Sequence, residues 1–165
     1  MAQSTMEAAM KSTARISSHP IHPMLIPFPL ALWTTSFILD LIGAWRDSTV
    51  LHIAAYFMAI AGCVGAVLAA VPGLIDLLTV IPKGTNARRT GWVHGSLNVL
   101  ALVLFVISIL ARPGIGEMSN FAYLTAAIAV VLLGISGWLG GTLVYDHKVG
   151  VPDVELDAGT PEARR

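Results

Sequence analysis

Residues 19–44 read HPIHPMLIPFPLALWTTSFILDLIGA. The first eleven of these residues contain four of the nine prolines and two of the five histidines of the chain, and the remaining fifteen are mostly apolar. Proline lacks an N–H group and disfavours helix in the residue before it. We therefore predict that regular helix begins near Pro27–Pro29, and that residues 19–26 form an irregular shoulder at a membrane interface. The apolar run Met24–Ala44 is long enough to cross about 30 Å of hydrocarbon.

Three more runs have the length and composition of membrane spans: Val50–Val71, Trp92–Ala111 and Phe121–Tyr145. The chain is 55% hydrophobic and 12% charged, with a mean hydropathy of +0.74, whereas soluble domains carry about 25% charged residues. Helices of a soluble bundle would show a polar stripe, and these runs show none. Only helices and closed barrels satisfy their backbone in lipid. The predicted fold is therefore all-α, an integral membrane four-helix bundle.

The composition along the chain predicts three parts. Residues 1–18 form an N-terminal arm, residues 19–150 the four-span domain, and residues 151–165 an acidic disordered tail. Within the domain, the second span is expected to stop at Val71-Pro72-Gly73, with Asp76 after it, and the polar stretch 81–90 is expected to be a loop.

Four spans place both termini on one side of the membrane, and the charges indicate which side it is. Only Arg46 and Arg112 fall on the opposite side, and the terminal side carries the remaining eight lysines and arginines: Lys11, Arg15, Lys83, Arg88, Arg89, Lys148, Arg164 and Arg165. Positively charged loops are typical of the cytoplasmic side, so we predict cytoplasmic termini. The net charge of zero excludes a basic field of the kind that binds nucleic acid.

Histidines are the main candidates for chemistry. His22 before span one, His94 inside span three, His147 after span four and Asp76 are all predicted at the terminal side. Two neutral imidazoles from different helices can hold a haem iron, so one hypothesis is a b-type haem electron carrier with His22 and His94 as ligands and His147 as a substitute. Histidines together with Asp76 could instead bind a divalent metal. The alternative is that these histidines only form hydrogen bonds to helix ends.

Other residues complete the haem hypothesis. Asn98 lies one turn from His94 on the same helix face and could orient it. Arg88 or Arg89 could pair with the propionates. The walls of the site would come from the aromatic residues Trp92, Trp138 and Tyr145.

A second hypothesis is a non-catalytic module that assembles with itself or with a partner. Gly137 and Gly141 form a GxxxG pattern that lets two helices approach closely. A small transporter using Asp40, Asp76 and the histidines would need a polar path, and the spans have few polar residues. On the opposite side of the membrane, Asp40, Arg46, Asp47 and His52 are expected to form an interfacial ion-pair cluster, to which no function is assigned.

The chain resembles a known bacterial membrane family, the domain of unknown function 2231. The resemblance rests on His22-Pro-Met-Leu-Ile-Pro-Phe-Pro-Leu-Ala-Leu, Ala70-Val-Pro-Gly-Leu-Ile-Asp, His94-Gly-Ser-Leu-Asn and Ser136-Gly-Trp-Leu-Gly-Gly-Thr-Leu-Val-Tyr. It spans about residues 19–152 and implies a multi-pass protein of the bacterial inner membrane. Relatives joined to Rieske-type iron–sulfur domains imply electron transfer to a redox partner protein, although this chain lacks the Cys-His pairs of such a domain. The sequence departs from the family pattern at Lys148, where relatives carry glycine.

Overall fold

The structure is a computed structural model that describes residues 10–151. Its helices are α1 (Ile21–Leu25), α2 (Pro27–Arg46), α3 (Thr49–Thr79), α4 (Asn86–Leu110) and α5 (Asn120–Tyr145). Two short strands, β1 (Arg15–Ile16) and β2 (His19–Pro20), pair as an antiparallel hairpin. The first nine residues of the predicted arm, and residues 152–165 of the predicted tail, lie outside the described residues.

The four predicted spans are confirmed. The segments Ile21–Arg46, Thr49–Thr79, Asn86–Leu110 and Asn120–Tyr145 are each long and apolar enough to cross a membrane. Both ends of the described chain meet at one end of the bundle, where the Gly150 amide donates to the Met10 carbonyl at 2.9 Å. We call this the arm end and the opposite one the far end.

The core is built from one aromatic stack and many small side chains. Helix α2 packs mainly on α3, and α4 packs mainly on α5. The buried Trp33 ring stacks on Phe105, with ring centroids 4.6 Å apart, and Trp33 Nε1 donates to the Ala59 carbonyl. Around this stack the helices approach closely through buried alanines of α4 and α5, among them Ala101, Ala126 and Ala129. Small residues at the contacts are typical of helix packing in membranes.

The predicted irregular shoulder at residues 19–26 is wrong, because Ile21–Leu25 forms the short helix α1. Pro23 lies in its first turn, where the missing N–H would have no partner within the helix. Pro27 is the first residue of α2, which matches the predicted start near Pro27–Pro29, but the helical span as a whole already begins at Ile21.

The predicted end of span two at Pro72 is also wrong. Helix α3 continues to Thr79 and contains both Pro72 and Asp76. The polar stretch 81–90 is a loop only in its first half, because α4 begins at Asn86, where the Thr85 side chain accepts from the Arg88 amide as an N-cap.

Residues 12–14 of the arm are fastened to α3 at Asp76. The Ser12 hydroxyl donates to Asp76 Oδ2 at 2.7 Å, and the Thr13 and Ala14 amides donate to Oδ1 at 2.9 and 3.0 Å. The Ala14 carbonyl in turn accepts from the Ile21 amide, the first of α1. The arm therefore connects α3 to the short helix that carries His22.

Candidate functional site

His22 is anchored to α3 at the place where Pro72 disturbs that helix. Its Nδ1 lies 2.7 Å from the carbonyl oxygen of Ala69. Proline at position 72 weakens the helical hydrogen bonds of the preceding turn, and neighbouring side chains commonly satisfy such carbonyls in membranes. A carbonyl can only accept, so Nδ1 of His22 carries the hydrogen, and in the neutral ring Nε2 keeps a free lone pair.

His94 joins α4 to α5. Its Nδ1 lies 2.8 Å from the Ser136 carbonyl, so this nitrogen also donates, while the Ser136 hydroxyl donates to the His94 carbonyl at 3.2 Å. Asn98 Nδ2 lies 3.1 Å from Nε2 and 3.0 Å from the His94 carbonyl. Because Nε2 accepts from this amide, His94 is a neutral imidazole. The place of Asn98 one turn from His94 predicted this contact.

The two imidazoles lie next to each other, although they come from α1 and α4. Their ring centroids are 6.3 Å apart and their planes are perpendicular. Each ring rests against a glycine: a Cβ atom at Gly73 would lie 2.7 Å from Cε1 of His22, and one at Gly140 would lie 3.2 Å from Cε1 of His94. Both half-buried rings thus occupy space that a side chain would otherwise fill.

Two glycines of α5 face open space at the surface of the bundle. Gly134 and Gly137 have no neighbouring atom within 4 Å of an added Cβ. By helical spacing, Gly134 and Gly141 lie on the same side of α5 as Tyr123, whose hydroxyl donates to the Asp40 carbonyl of α2. Gly134 and Gly137 are exposed, so this open space lies at the surface of the bundle, whereas the α5 residues that contact His94 are Ser136 and Gly140.

The remaining predicted site residues lie apart from the pair. Asp76 uses both carboxylate oxygens to bind the arm. Arg88 donates to the carbonyls of Leu78 and Ile81 at the end of α3, and Arg89 is exposed. Trp92, Trp138 and Tyr145 are exposed on the outside of the bundle. Within residues 10–151, no three His, Cys, Asp or Glu side chains come together as a metal site, so His147 and Asp76 do not join His22 and His94.

At the far end, the arginine that pairs with Asp40 is Arg112 and not the predicted Arg46. Asp40 is buried and pairs with Arg112, whose Nη1 and Nη2 lie 3.1 and 2.6 Å from the two carboxylate oxygens. His52 Nδ1 lies 3.0 Å from Asp40 Oδ1. Among the described residues Arg46 and Asp47 form no ion pair, and Arg46 lies over the ring of its neighbour Trp45. The predicted pairing through Arg46 and Asp47 is therefore wrong, because the bidentate guanidinium comes from the end of α4.

A comparison with known protein families shows the family to which the chain belongs. Residues 18–153 match the family described as predicted membrane protein (DUF2231). The chain belongs to this family. The resemblance found in the sequence motifs is thereby confirmed, and so is the membrane as the protein's surroundings. Neither the comparison with curated proteins nor that with solved structures found a match.

Several site residues were not predicted from the sequence. Ser136 holds His94, Gly73 and Gly140 make room for the rings, and Arg112 neutralises Asp40. Pro72 within a long apolar run was the available sequence signal that a helix turn there has a backbone carbonyl without its usual N–H partner. Nothing in the spacing could pair Arg112 with Asp40, since 72 residues separate them.

Proposed function

We propose that this membrane protein is a b-type haem electron carrier in which His22 and His94 bind the iron. The observation that supports this most directly is the identical anchoring of the two imidazoles. Each donates its Nδ1 hydrogen to a backbone carbonyl of a neighbouring helix. Metal-binding histidines usually have this arrangement, because the hydrogen bond fixes the tautomer and leaves Nε2 as the ligand atom.

The residues present fit such a group. An imidazole nitrogen binds a metal ion at about 2 Å, so two rings on one ion have centroids about 6 Å apart, compared with 6.3 Å here. Gly73 and Gly140, which have no side chain, leave the space that the two rings occupy. Nδ2 of Asn98 can give up its hydrogen bond to Nε2 of His94 and still have a partner, because Nδ2 also donates to the His94 carbonyl.

Each residue of the candidate site then has a defined role. His22 and His94 hold the group from α1 and α4. The Ala69 and Ser136 carbonyls keep the rings oriented, and Asn98 occupies Nε2 of His94 when no ligand is bound. Bound haem would supply one-electron chemistry at a potential set by its ligands and surroundings. On this proposal the pair lies near the cytoplasmic surface, where a redox partner protein can approach.

An absorption spectrum of the full chain, purified in detergent after expression with ample haem precursor, tests the proposal. We expect a Soret band, and sharp α and β bands after dithionite reduction, as six-coordinate haem gives. Metal analysis of the same sample distinguishes haem iron from a divalent ion bound without a porphyrin. A featureless visible spectrum, with no uptake of added hemin, would contradict the proposal.

A second candidate is assembly with another copy of the chain through the glycine side of α5. The open space at Gly134 and Gly137 favours it, since small-residue faces bring membrane helices together. Gly137→Leu separates the candidates. Under the haem proposal the leucine at this exposed position leaves both the haem content and the oligomeric state unchanged, whereas under assembly it converts a dimer to a monomer in size-exclusion with light scattering.

A further inference from the structure

We propose that a pocket at the arm end binds a phosphate group, supplied by the headgroup of an anionic phospholipid. The pocket has a volume of about 150 Å³ and lies between the β1–β2 hairpin and the segment after α5. Its lining residues are Lys11, Ser12, Arg15, Ser18, Pro20 and Gly150. This proposal does not depend on haem binding.

The charges of the pocket favour an anion. Lys11 and Arg15 are exposed, and neither forms an ion pair with an acidic side chain of residues 10–151. The nearby carboxylate of Asp76 is already bound by the Ser12 hydroxyl and by the Thr13 and Ala14 amides. The pocket therefore carries two cations that form no ion pair among the described residues, and arginine together with lysine is well suited to phosphate oxygens.

The pocket walls are held in place by backbone contacts. Arg15 pairs with Pro20 across the hairpin. The Gly150 amide donates to the carbonyl of Met10, next to Lys11. Met10 itself packs on the buried residues Leu77, Ile81 and Ala87. The two cations thus project from a fastened segment, which reduces the entropy lost when a ligand is bound.

The level of the pocket in the membrane points to a lipid as the source of the phosphate. Pro20 directly precedes α1, and Gly150 comes after the end of α5 at Tyr145. The exposed rings of Trp92 and Tyr145 lie at this same end, as aromatic residues do at membrane interfaces. The pocket therefore lies just beyond the hydrocarbon, at the depth of the lipid phosphates, where basic pockets bind anionic headgroups.

The experiment measures phospholipid binding by native mass spectrometry of the full-length protein in detergent, titrated with phosphatidylglycerol or with phosphatidylcholine. We compare the wild type with Lys11→Gln/Arg15→Gln. The control, Lys83→Gln/Arg89→Gln, removes the same charge from two exposed cations at the same end that do not line the pocket. Folding of each variant is checked by circular dichroism, and the backbone bonds of the arm to Asp76 remain in all of them.

We expect the pocket variant to bind phosphatidylglycerol about thirtyfold more weakly, since the two cations that line the pocket contribute about 1 kcal/mol each toward an anionic headgroup and about 1.4 kcal/mol corresponds to a factor of ten. We expect the control, whose cations do not line the pocket, to change about twofold or less. Equal losses in both variants, or equal binding of phosphatidylcholine by the wild type, would overturn the proposal. A parallel titration with millimolar inorganic phosphate tests the source of the ligand. Displacement of phosphatidylglycerol would assign the pocket to free phosphate and overturn the lipid as its source, and lack of displacement supports the lipid.

Discussion

The histidines of this protein bind different partners at the two ends of the helix bundle. His22 and His94 each hold a backbone carbonyl of another helix, and their second nitrogen is available to a ligand or to Asn98. His52 instead uses Nδ1 on the buried carboxylate of Asp40. The sequence placed His22 and His94 at one level of the membrane. It could not supply the orientation of either ring, which depends on carbonyls remote in the chain.

Arg112 is the residue whose loss we expect to destabilise the fold most. In Arg112→Met the buried Asp40 keeps His52 but loses both guanidinium bonds. Removing one partner of a buried ion pair costs about 3–5 kcal/mol. The free energy of unfolding, measured by detergent titration, should fall by that amount, while Arg46→Gln at the exposed far-end surface should change it by less than about 0.5 kcal/mol.

The double variant Asp40→Asn/Arg112→Met checks the cause of this loss. It leaves no uncompensated buried charge, so it should recover most of the stability of the wild type. A double variant as unstable as Arg112→Met would mean that the packing of the arginine stem, and not charge neutralisation of Asp40, is what matters.

Lys148, which follows α5, has a backbone conformation that suits glycine. It has φ of 55°, in the left-handed region, where a residue with a Cβ is disfavoured by about 1–2 kcal/mol. Lys148→Gly should therefore raise the free energy of unfolding by up to about 1 kcal/mol, after the larger entropy of unfolded glycine is deducted. A decrease on thermal denaturation in detergent would mean that the ammonium group makes a stabilising contact.

At the scale of elements, hydropathy predicted the spans and tertiary contacts decided their ends. Apolar length alone indicated all four helices, because each must satisfy its backbone across the hydrocarbon. It failed at Pro72, where α3 continues to Thr79 and the His22 ring bonds the Ala69 carbonyl in the turn before the proline. It also failed for α1, whose proline occupies a first-turn position that tolerates it.

Gly73 tests this link between α3 and the histidine pair. A methyl group in Gly73→Ala would lie 2.7 Å from the His22 ring, so the imidazole must leave its place on the Ala69 carbonyl. Haem uptake, measured by hemin titration in detergent, should become at least about tenfold weaker, as when a supporting residue of a metal ligand is lost. Gly134→Ala is the matched control, because its added methyl group meets no atom within 4 Å. Equal uptake by both variants would show that the position of His22 is unimportant for binding.

The molecule as a whole has two different ends. The arm end carries the histidine pair and the basic pocket, and the far end carries the buried pair of Asp40 with Arg112. The excess of positive charge predicts that the arm end is cytoplasmic. No single span could predict this division, because each end is assembled from residues of several helices.

Cysteine labelling checks this orientation. In a Cys63→Ala background, Ile115→Cys in the exposed connection between α4 and α5 should react with a membrane-impermeant maleimide in intact spheroplasts. Ser17→Cys in the exposed hairpin turn should react only after lysis. The reverse pattern would place the termini on the outside, and with them the histidine pair.

The measurement that tests the central claim most directly is the reduced-minus-oxidised absorption spectrum of four proteins expressed side by side: the wild type, His22→Ala, His94→Ala and His19→Ala. His19 is the matched control, since it lies three residues from His22 but is exposed. We predict sharp α and β bands in the wild type and in His19→Ala, and their loss in the other two variants although both still insert into the membrane. Bands that persist in His22→Ala and His94→Ala, or that are absent from the wild type even with added hemin, would contradict the assignment of this pair as haem ligands.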